Sequence, residues 1–358
     1  MMKKQVSMNL QRFASIANMF STPQVLDYVR DRQFPTFLGD SLFPARRVNS
    51  LKLDQVYAGN RTPVIAHVAA FDAEAEIGSR QASKSTLELA LIKRKMQIKE
   101  DDLIALQNPR TAEEADYLKN RVYDDIDELV QGVYAQVEKM TMDALATGKV
   151  SVINPDTQEQ YDFDYQVPES HQADLTGKDG TTWDNASADP INDLIKWVDS
   201  MDVSATRILT SRKIYRLFTQ NANVLKAVYG TSTRALGQGD LDAFMEAQGL
   251  PVIRTYDSKY REEDSKGVLT TKRYFPEDKL VLMGDDILGE KLYGPTPEEI
   301  GLAGDPAVQK SAHGNVFATI YTDTKDPVGT WEKATAVALP SFPGANEVFQ
   351  ATPIKASN

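Results

Sequence analysis

The chain of 358 residues contains no cysteine. That removes disulfides, thiolate zinc sites and cysteine nucleophiles together, and it fits a reducing compartment. Histidine is nearly as scarce. His67, His171 and His313 lie far apart, and no His-Glu-x-x-His spacing occurs, so neither a histidine metal site nor a histidine general base is indicated. Positive charge is in deficit, with 40 Lys and Arg against 51 Asp and Glu, a net charge of −11. Gripping phosphates takes clustered Lys and Arg, so this balance argues against a dedicated nucleic-acid-binding protein. Long apolar runs are missing too, since nothing approaches the ~20 residues of a membrane span. After Lys3 and Lys4 the apolar stretch of a signal peptide is interrupted by Gln5, Ser7, Asn9, Gln11 and Arg12. The expectation is a soluble protein that is not exported.

Words that resemble catalytic motifs fail at the residues that matter. Thr176-Gly177-Lys178-Asp179 has Gln172 where a phosphate loop needs its first glycine, and Asp where Ser or Thr must follow the lysine. Gly230-Thr231-Ser232-Thr233-Arg234 ends on arginine where the sharp turn of a nucleophile elbow requires glycine. The pairs Asp285-Asp286 and Glu298-Glu299 are adjacent, and adjacent side chains on a helix or strand diverge. They read as solvated surface charge. No catalytic, cofactor-binding or metal-binding residue emerges, and the chain reads as a non-enzyme.

What is present is a fold-building pattern. Hydrophobic residues make up 41%, enough for one large domain or two to three modules. Residues 1–48 scatter apolar side chains between Pro23, Pro35 and Pro44. Phe34, Phe37, Leu38, Leu42 and Phe43 are too apolar for a solvated tail, so the choice is between a loose terminus and an arm lying on a neighbouring subunit. Residues 49–100 read as a long hairpin or extended loop, either reaching to another subunit or folded back on its own domain: Leu87, Leu89 and Leu91 alternate with Glu88 and Ala90, and the polar stretch 71–86 has little to bury. An isolated hairpin is marginal in water and its open edges invite another chain.

The strongest element follows. Thr111-Ala112-Glu113-Glu114 is a capping box, and Leu118, Val122, Ile126, Leu129, Val133, Val137 and Met140 recur at steps of three and four up to the stop at Gly148. The predicted helix, 111–147, spans roughly 54 Å and sets an acidic face (Asp116, Asp124, Asp127, Glu138) opposite its apolar stripe. A hairpin over 150–153 and 161–165 comes next, then a polar loop over 169–190. Helices over 191–201, 211–229 and 241–248 alternate with strands over 207–210, 252–256 and 279–283; a charged excursion covers 257–273, and strands at 316–321, 335–339 and 348–351 close the chain. The class is α+β. Lys93-Arg94-Lys95 is the one concentrated basic cluster, suited to pairing with an acidic face of a neighbour. Trp183, Trp197 and Trp331 read as core or interface anchors.

The order of arm, long hairpin, single long helix, α+β module and terminal strands resembles the tailed-phage capsid fold first seen in phage Hong Kong 97. Leu42-Phe43-Pro44-Ala45, Pro63-Val64-Ile65-Ala66, Ala70-Phe71-Asp72, Ile92-Lys93-Arg94-Lys95, Tyr293-Gly294-Pro295-Thr296-Pro297-Glu298, Pro327-Val328-Gly329-Thr330-Trp331 and Pro340-Ser341-Phe342-Pro343 together resemble the lambda-type major capsid protein E family over roughly residues 36–354. The resemblance implies an N-terminal arm (1–48), an extension loop (49–92), a peripheral domain (93–189) on the spine helix 111–147, an axial domain (190–312) and C-terminal strands (313–358). It also implies a structural head protein, located in the virion and assembled in the host cytoplasm, that self-assembles as hexamers and pentamers around double-stranded DNA. Its partners would be further copies of itself, a scaffolding protein, a portal, a decoration protein and the packaged DNA by non-specific proximity, with no membrane and no cofactor. The expected intersubunit contacts are Phe34, Phe37, Leu42, Phe43, Lys93, Arg94 and Lys95. The alternatives are an encapsulin-like shell around a cellular cargo and an enzyme of unrecognised class.

Overall fold

A computed structural model describes residues 20–58, 82–107, 109–153, 160–177, 180–264, 266–284, 287–301, 315–323 and 329–356. In chain order the elements are α1 (Thr22–Asp31), α2 (Leu38–Leu42), β1 (Ala45–Arg47), β2 (Lys52–Ala58), β3 (Ala82–Glu88), β4 (Ala90–Ile98), α3 (Glu100–Gln107), α4 (Ala112–Thr147), β5 (Lys149–Ile153), β6 (Gln160–Asp164), β7 (Gln172–Asp174), α5 (Pro190–Asp199), β8 (Arg207–Thr210), α6 (Arg212–Gln220), α7 (Ala222–Tyr229), α8 (Gln238–Ala247), β9 (Val252–Thr255), β10 (Lys259–Glu263), β11 (Leu269–Arg273), β12 (Leu280–Met283), β13 (Glu290–Gly294), α9 (Pro297–Gly301), β14 (Phe317–Asp323), β15 (Gly329–Ser341) and β16 (Val348–Thr352).

The long helix α4 forms where the apolar stripe placed it. The Glu114 N–H donates to Thr111 Oγ1 at 3.1 Å, and Glu114 Oε2 accepts from the Arg110 N–H at 2.6 Å, one residue before the expected reciprocal partner. All seven stripe residues, Leu118 through Met140, are buried. The helix stops at Gly148, whose φ of 68° is the left-handed conformation that glycine adopts without a Cβ penalty. The opposite face departs from expectation. Asp116 and Asp124 are exposed, but Asp127 and Glu138 are buried, each held by partners that lie far away in sequence.

Two compact units share the chain. One comprises Met1–Pro35, Leu91–Tyr134 and Gly294–Val337; the other comprises Thr36–Ala90, Ala135–Tyr293 and Ala338–Asn358. Helix α4 and strand β15 each contribute to both.

In the first unit β14 and β4 both pair with β15, β14 antiparallel with Ile320 opposite Glu332. Helix α1 lies on β14, with Leu26 against Phe317. The second unit is built on a five-stranded sheet of order β7-β16-β12-β8-β9. One face carries Ile208, Ile253, Leu280, Leu282 and Phe349 against Leu194 and Trp197 of α5, Ile214 and Phe218 of α6, Val224 of α7 and Leu241 and Met245 of α8. On β16, Gln350 Nε2 donates to the Leu145 carbonyl at 2.8 Å, satisfying an acceptor that the last turn of α4 leaves without an intrahelical donor.

Several expectations change. The helix expected over 211–229 is two helices: the Asn221 side chain accepts from the N–H groups of Asn223 and Val224, capping a fresh start at α7. The excursion over 257–273 is a regular antiparallel hairpin, Lys259 opposite Arg273. Helices α1, α2, α3 and α9 and strand β13 had no strong periodic signal. The two strands flanking the long hairpin pair in register from Lys52↔Glu88 to Ala58↔Ala82. Residues 59–81, with Pro63–Ala66, His67 and Ala70–Asp72, lie outside the described residues, as do residues 1–19, Lys178, Asp285-Asp286, His313 and Pro327.

Candidate functional site

The expected contact residues separate into two groups. Leu42 and Phe43 are 2% and 0% exposed, and the Phe43 ring lies 5.4 Å from Phe342. They belong to the chain's own core, which removes them from the set available to a neighbour. The same holds for Phe20, Val25, Leu26 and Val29, all buried: the described part of the apolar arm finds its burial within its own chain. Phe34 and Phe37 are half-buried, with rings 5.7 Å from Tyr134 and 5.5 Å from Tyr274.

A buried charge network fixes the segment around Leu42. Glu138 is fully buried and Lys291 is 2% exposed. Lys291 Nζ meets Glu138 Oε2 at 2.9 Å and Asp40 Oδ1 at 2.7 Å. Glu138 Oε1 accepts from the Gly39 N–H at 3.1 Å and from the Tyr256 hydroxyl at 3.1 Å. Three donated or charge-paired contacts compensate a Glu138 carboxylate that would be costly alone. Gly39 is required here because a Cβ would run into Glu138 Oε2. Burial and the Glu138 charge push the Tyr256 hydroxyl upward, and burial raises Tyr260 and Tyr274 to about 12.

Lys93-Arg94-Lys95 does not form one patch. Strand alternation sends Lys93 and Lys95 to the exposed side and Arg94 to the half-buried side. Lys93 Nζ lies 3.5 Å from Glu298, Lys95 Nζ sits 4.4 Å above the Trp331 ring, and the Arg94 side chain passes over Gly132. Glu298, expected as solvated surface charge, is partly buried. Burial alone would raise its carboxyl, but the hydrogen bond and charge of Lys333, with Lys93, bring it below its ordinary value. Glu299 caps α9 by accepting from the Thr296 N–H at 3.0 Å.

Sequence reasoning missed the exposed apolar residues. Among the described residues the most exposed large hydrophobics are Tyr117 at 65% and Ile104 at 63%. A polar hairpin, β10–β11, also carries exposed Val268 and Leu269. Trp183 and Trp197 stack at 5.7 Å, and Trp197 stacks on Phe349, so both are core anchors. His171 is buried with Nε2 3.9 Å from Asp202. Among the described residues no group of His, Asp and Glu is arranged to hold a metal, and no helix is long and apolar enough to cross a membrane.

This architecture is that of a Hong Kong 97-type phage capsid subunit. The putative capsid protein of a prophage of E. coli CFT073 superposes with a TM-score of 0.60 at 17% identity, covering 92% of this chain and 98% of that one. A phage-related protein of Bordetella bronchiseptica RB50 gives 0.53 at 12% identity, covering 93% and 98%. No curated protein matches in sequence. The family described as phage major capsid protein E matches residues 21–353, and the chain belongs to that family. It is a structural protein of the phage capsid shell, and its place is the capsid of the virion.

Proposed function

We propose that this chain assembles as hexamers and pentamers into an icosahedral head that encloses double-stranded DNA, and that it performs no catalysis. The observation that carries the reading is the family match from residue 21 to 353, which leaves almost none of the described chain for another role. Hairpin β2–β3 supports it. It is a two-stranded sheet in its own right, and two strands alone are marginally stable in water, so its edges gain from pairing with a neighbouring copy. Phe34, Phe37 and the exposed apolar side chains Ile104 and Tyr117 supply further contacts, and many weak contacts per copy add up through multivalency. A scaffolding protein, a portal and a decoration protein complete the particle, which assembles in the bacterial cytoplasm. The acidic balance of the chain suits a container that holds DNA without adhering to it.

Expression alone and with a scaffolding protein, followed by electron microscopy, tests this. Closed shells or capsomer rings are expected. A strictly monomeric protein at every concentration and salt tried would overturn the proposal. Nuclease-protected DNA inside shells recovered from infected cells separates a phage head from an encapsulin-like compartment, which would enclose protein cargo.

A further inference from the structure

Toward opposite edges of the sheet of the second unit lie a basic cleft and an acidic segment, although α8, which also packs on β9, carries Asp240, Asp242 and Glu246. Strand β9 forms one edge and β7 the other, with β16, β12 and β8 between them, a separation of about 19 Å at four strand spacings. Helix α6 packs beside β9 and begins Arg212, Lys213, with Arg216 one turn on and no acidic residue in its first turn. Cations there oppose the helix dipole, which favours negative charge at an N-terminus. These three residues, with Leu217, Arg273 and Glu277, line a cleft of about 330 Å³. Asp257 and Glu277 answer part of the charge: the Arg212 N–H donates to Asp257 at 3.2 Å, Arg273 pairs with Asp257, and Lys213 lies 3.4 Å from Glu277. Four cations therefore face two carboxylates. Among the described residues Arg216 is exposed with no ion pair.

The β7 edge is the reverse. Helix α5 packs on β16, the strand next to it, with Trp197 stacked on Phe349, and Asp202 beyond α5 lies near His171, the residue before β7. From residue 184 to 202 the chain carries five aspartates, at 184, 189, 193, 199 and 202, against the single Lys196. Asp184, Asp189, Asp199 and Asp202 are exposed, and Ile195 beside them is 37% exposed. Among the described residues Asp199 has no side-chain partner.

We infer that the basic cleft at α6 of one copy receives the acidic α5 edge of the next copy, so that these units pack head-to-tail around a closed ring. The inference rests on the shell reading above and specifies the surfaces that reading would use. A ring of identical copies requires two different, mutually complementary surfaces on each copy, and this unit supplies them at opposite edges of one sheet. The guanidinium forks of Arg212, Arg216 and Arg273 suit carboxylates, and Ile195 and Leu217 give each face an apolar centre.

Arg216→Glu and Asp199→Lys test it, because among the described residues neither side chain has a partner within its own chain. Each single variant places like charges face to face and should lower the yield of rings and shells at least about tenfold, with the melting temperature of the unassembled subunit unchanged. The double variant, with both edges reversed, should recover assembly. Wild-type shell yields from both single variants would overturn the inference while leaving the shell reading intact, as would a double variant as defective as the singles. Loss of DNA retention in Arg216→Glu shells that otherwise assemble normally would assign the cleft to phosphate and also overturn it. A wild-type chain that never assembles would instead remove the reading on which the inference rests.

Discussion

Among the described residues Glu332 buries both carboxylate oxygens with no hydrogen-bond donor for either, and it is 1% exposed. Burial, with the Asp125 charge second, raises its carboxyl from 4.5 to about 8. The folded chain therefore keeps a proton that the unfolded chain releases near pH 4.5. Stability tied to this group is fully present below that pH, falls as the pH rises toward 8, and is lost above it. Glu332→Gln should flatten this dependence and raise the melting temperature at pH 8 while changing little at pH 4.5; thermal unfolding across that range checks it, and an unchanged pH slope would contradict it. Glu138 shows the other solution to the same problem, a buried side chain whose oxygens are met by Lys291, Gly39 and Tyr256. Neither burial was legible in the sequence, where Glu138 falls on the polar side of an amphipathic helix. Its partners, at positions 39, 256 and 291, become neighbours only in the folded chain.

At the scale of elements, α4 was readable end to end because capping residue, apolar spacing and terminal glycine all agree. Helix α1 was not, since Pro23 and the short run offered no sustained period. Its role is nevertheless large. Phe20 and Tyr28 pack on Tyr123 at 5.5 and 4.3 Å, and Tyr28 and Arg32 both contact Asp127, at 3.1 and 2.9 Å. Deleting residues 1–35 would expose apolar surface and strand a buried carboxylate, at a cost on the order of 5 kcal/mol. The truncated chain should melt well below the full one in calorimetry. A truncated chain of full stability would return these residues to the part of a detachable arm. The break at Asn221 was hidden for a related reason: the apolar pattern continues through it, and the local Asn221 cap decides against one helix.

For the whole molecule, stability and assembly should separate at hairpin β2–β3. Replacing residues 53–87 by a short turn should leave the subunit folded, with circular dichroism and melting close to those of the full chain, while shells and rings disappear from micrographs. Normal shells from the shortened chain would remove the hairpin from assembly; a collapse in stability would assign it to the subunit's own core. Lys93-Arg94-Lys95 illustrates why assembly surfaces resist reading from sequence. Three adjacent cations look like a patch, but strand alternation divides them, and Glu298 and Trp331 engage the two on the exposed side. The opposed charges of α5 and α6 drew no notice in sequence because each run alone is an ordinary solvated face. Their placement at two edges of one sheet gives them meaning.

Local signals determined the α+β class, the long helix and its ends, the two hairpins at 52–88 and 149–164, the absence of thiol chemistry, and, through the order of short words, the family. These depend on caps, turns and periodicities that act over a few residues. Tertiary structure alone decided that Phe20, Val25, Leu26, Val29, Leu42 and Phe43 serve the chain's own core while Phe34 and Phe37 stay half-buried, that Glu138 and Glu332 are buried, and which charges remain free to meet another copy. Burial and pairing are set by residues tens to hundreds of positions apart, and no local period encodes them.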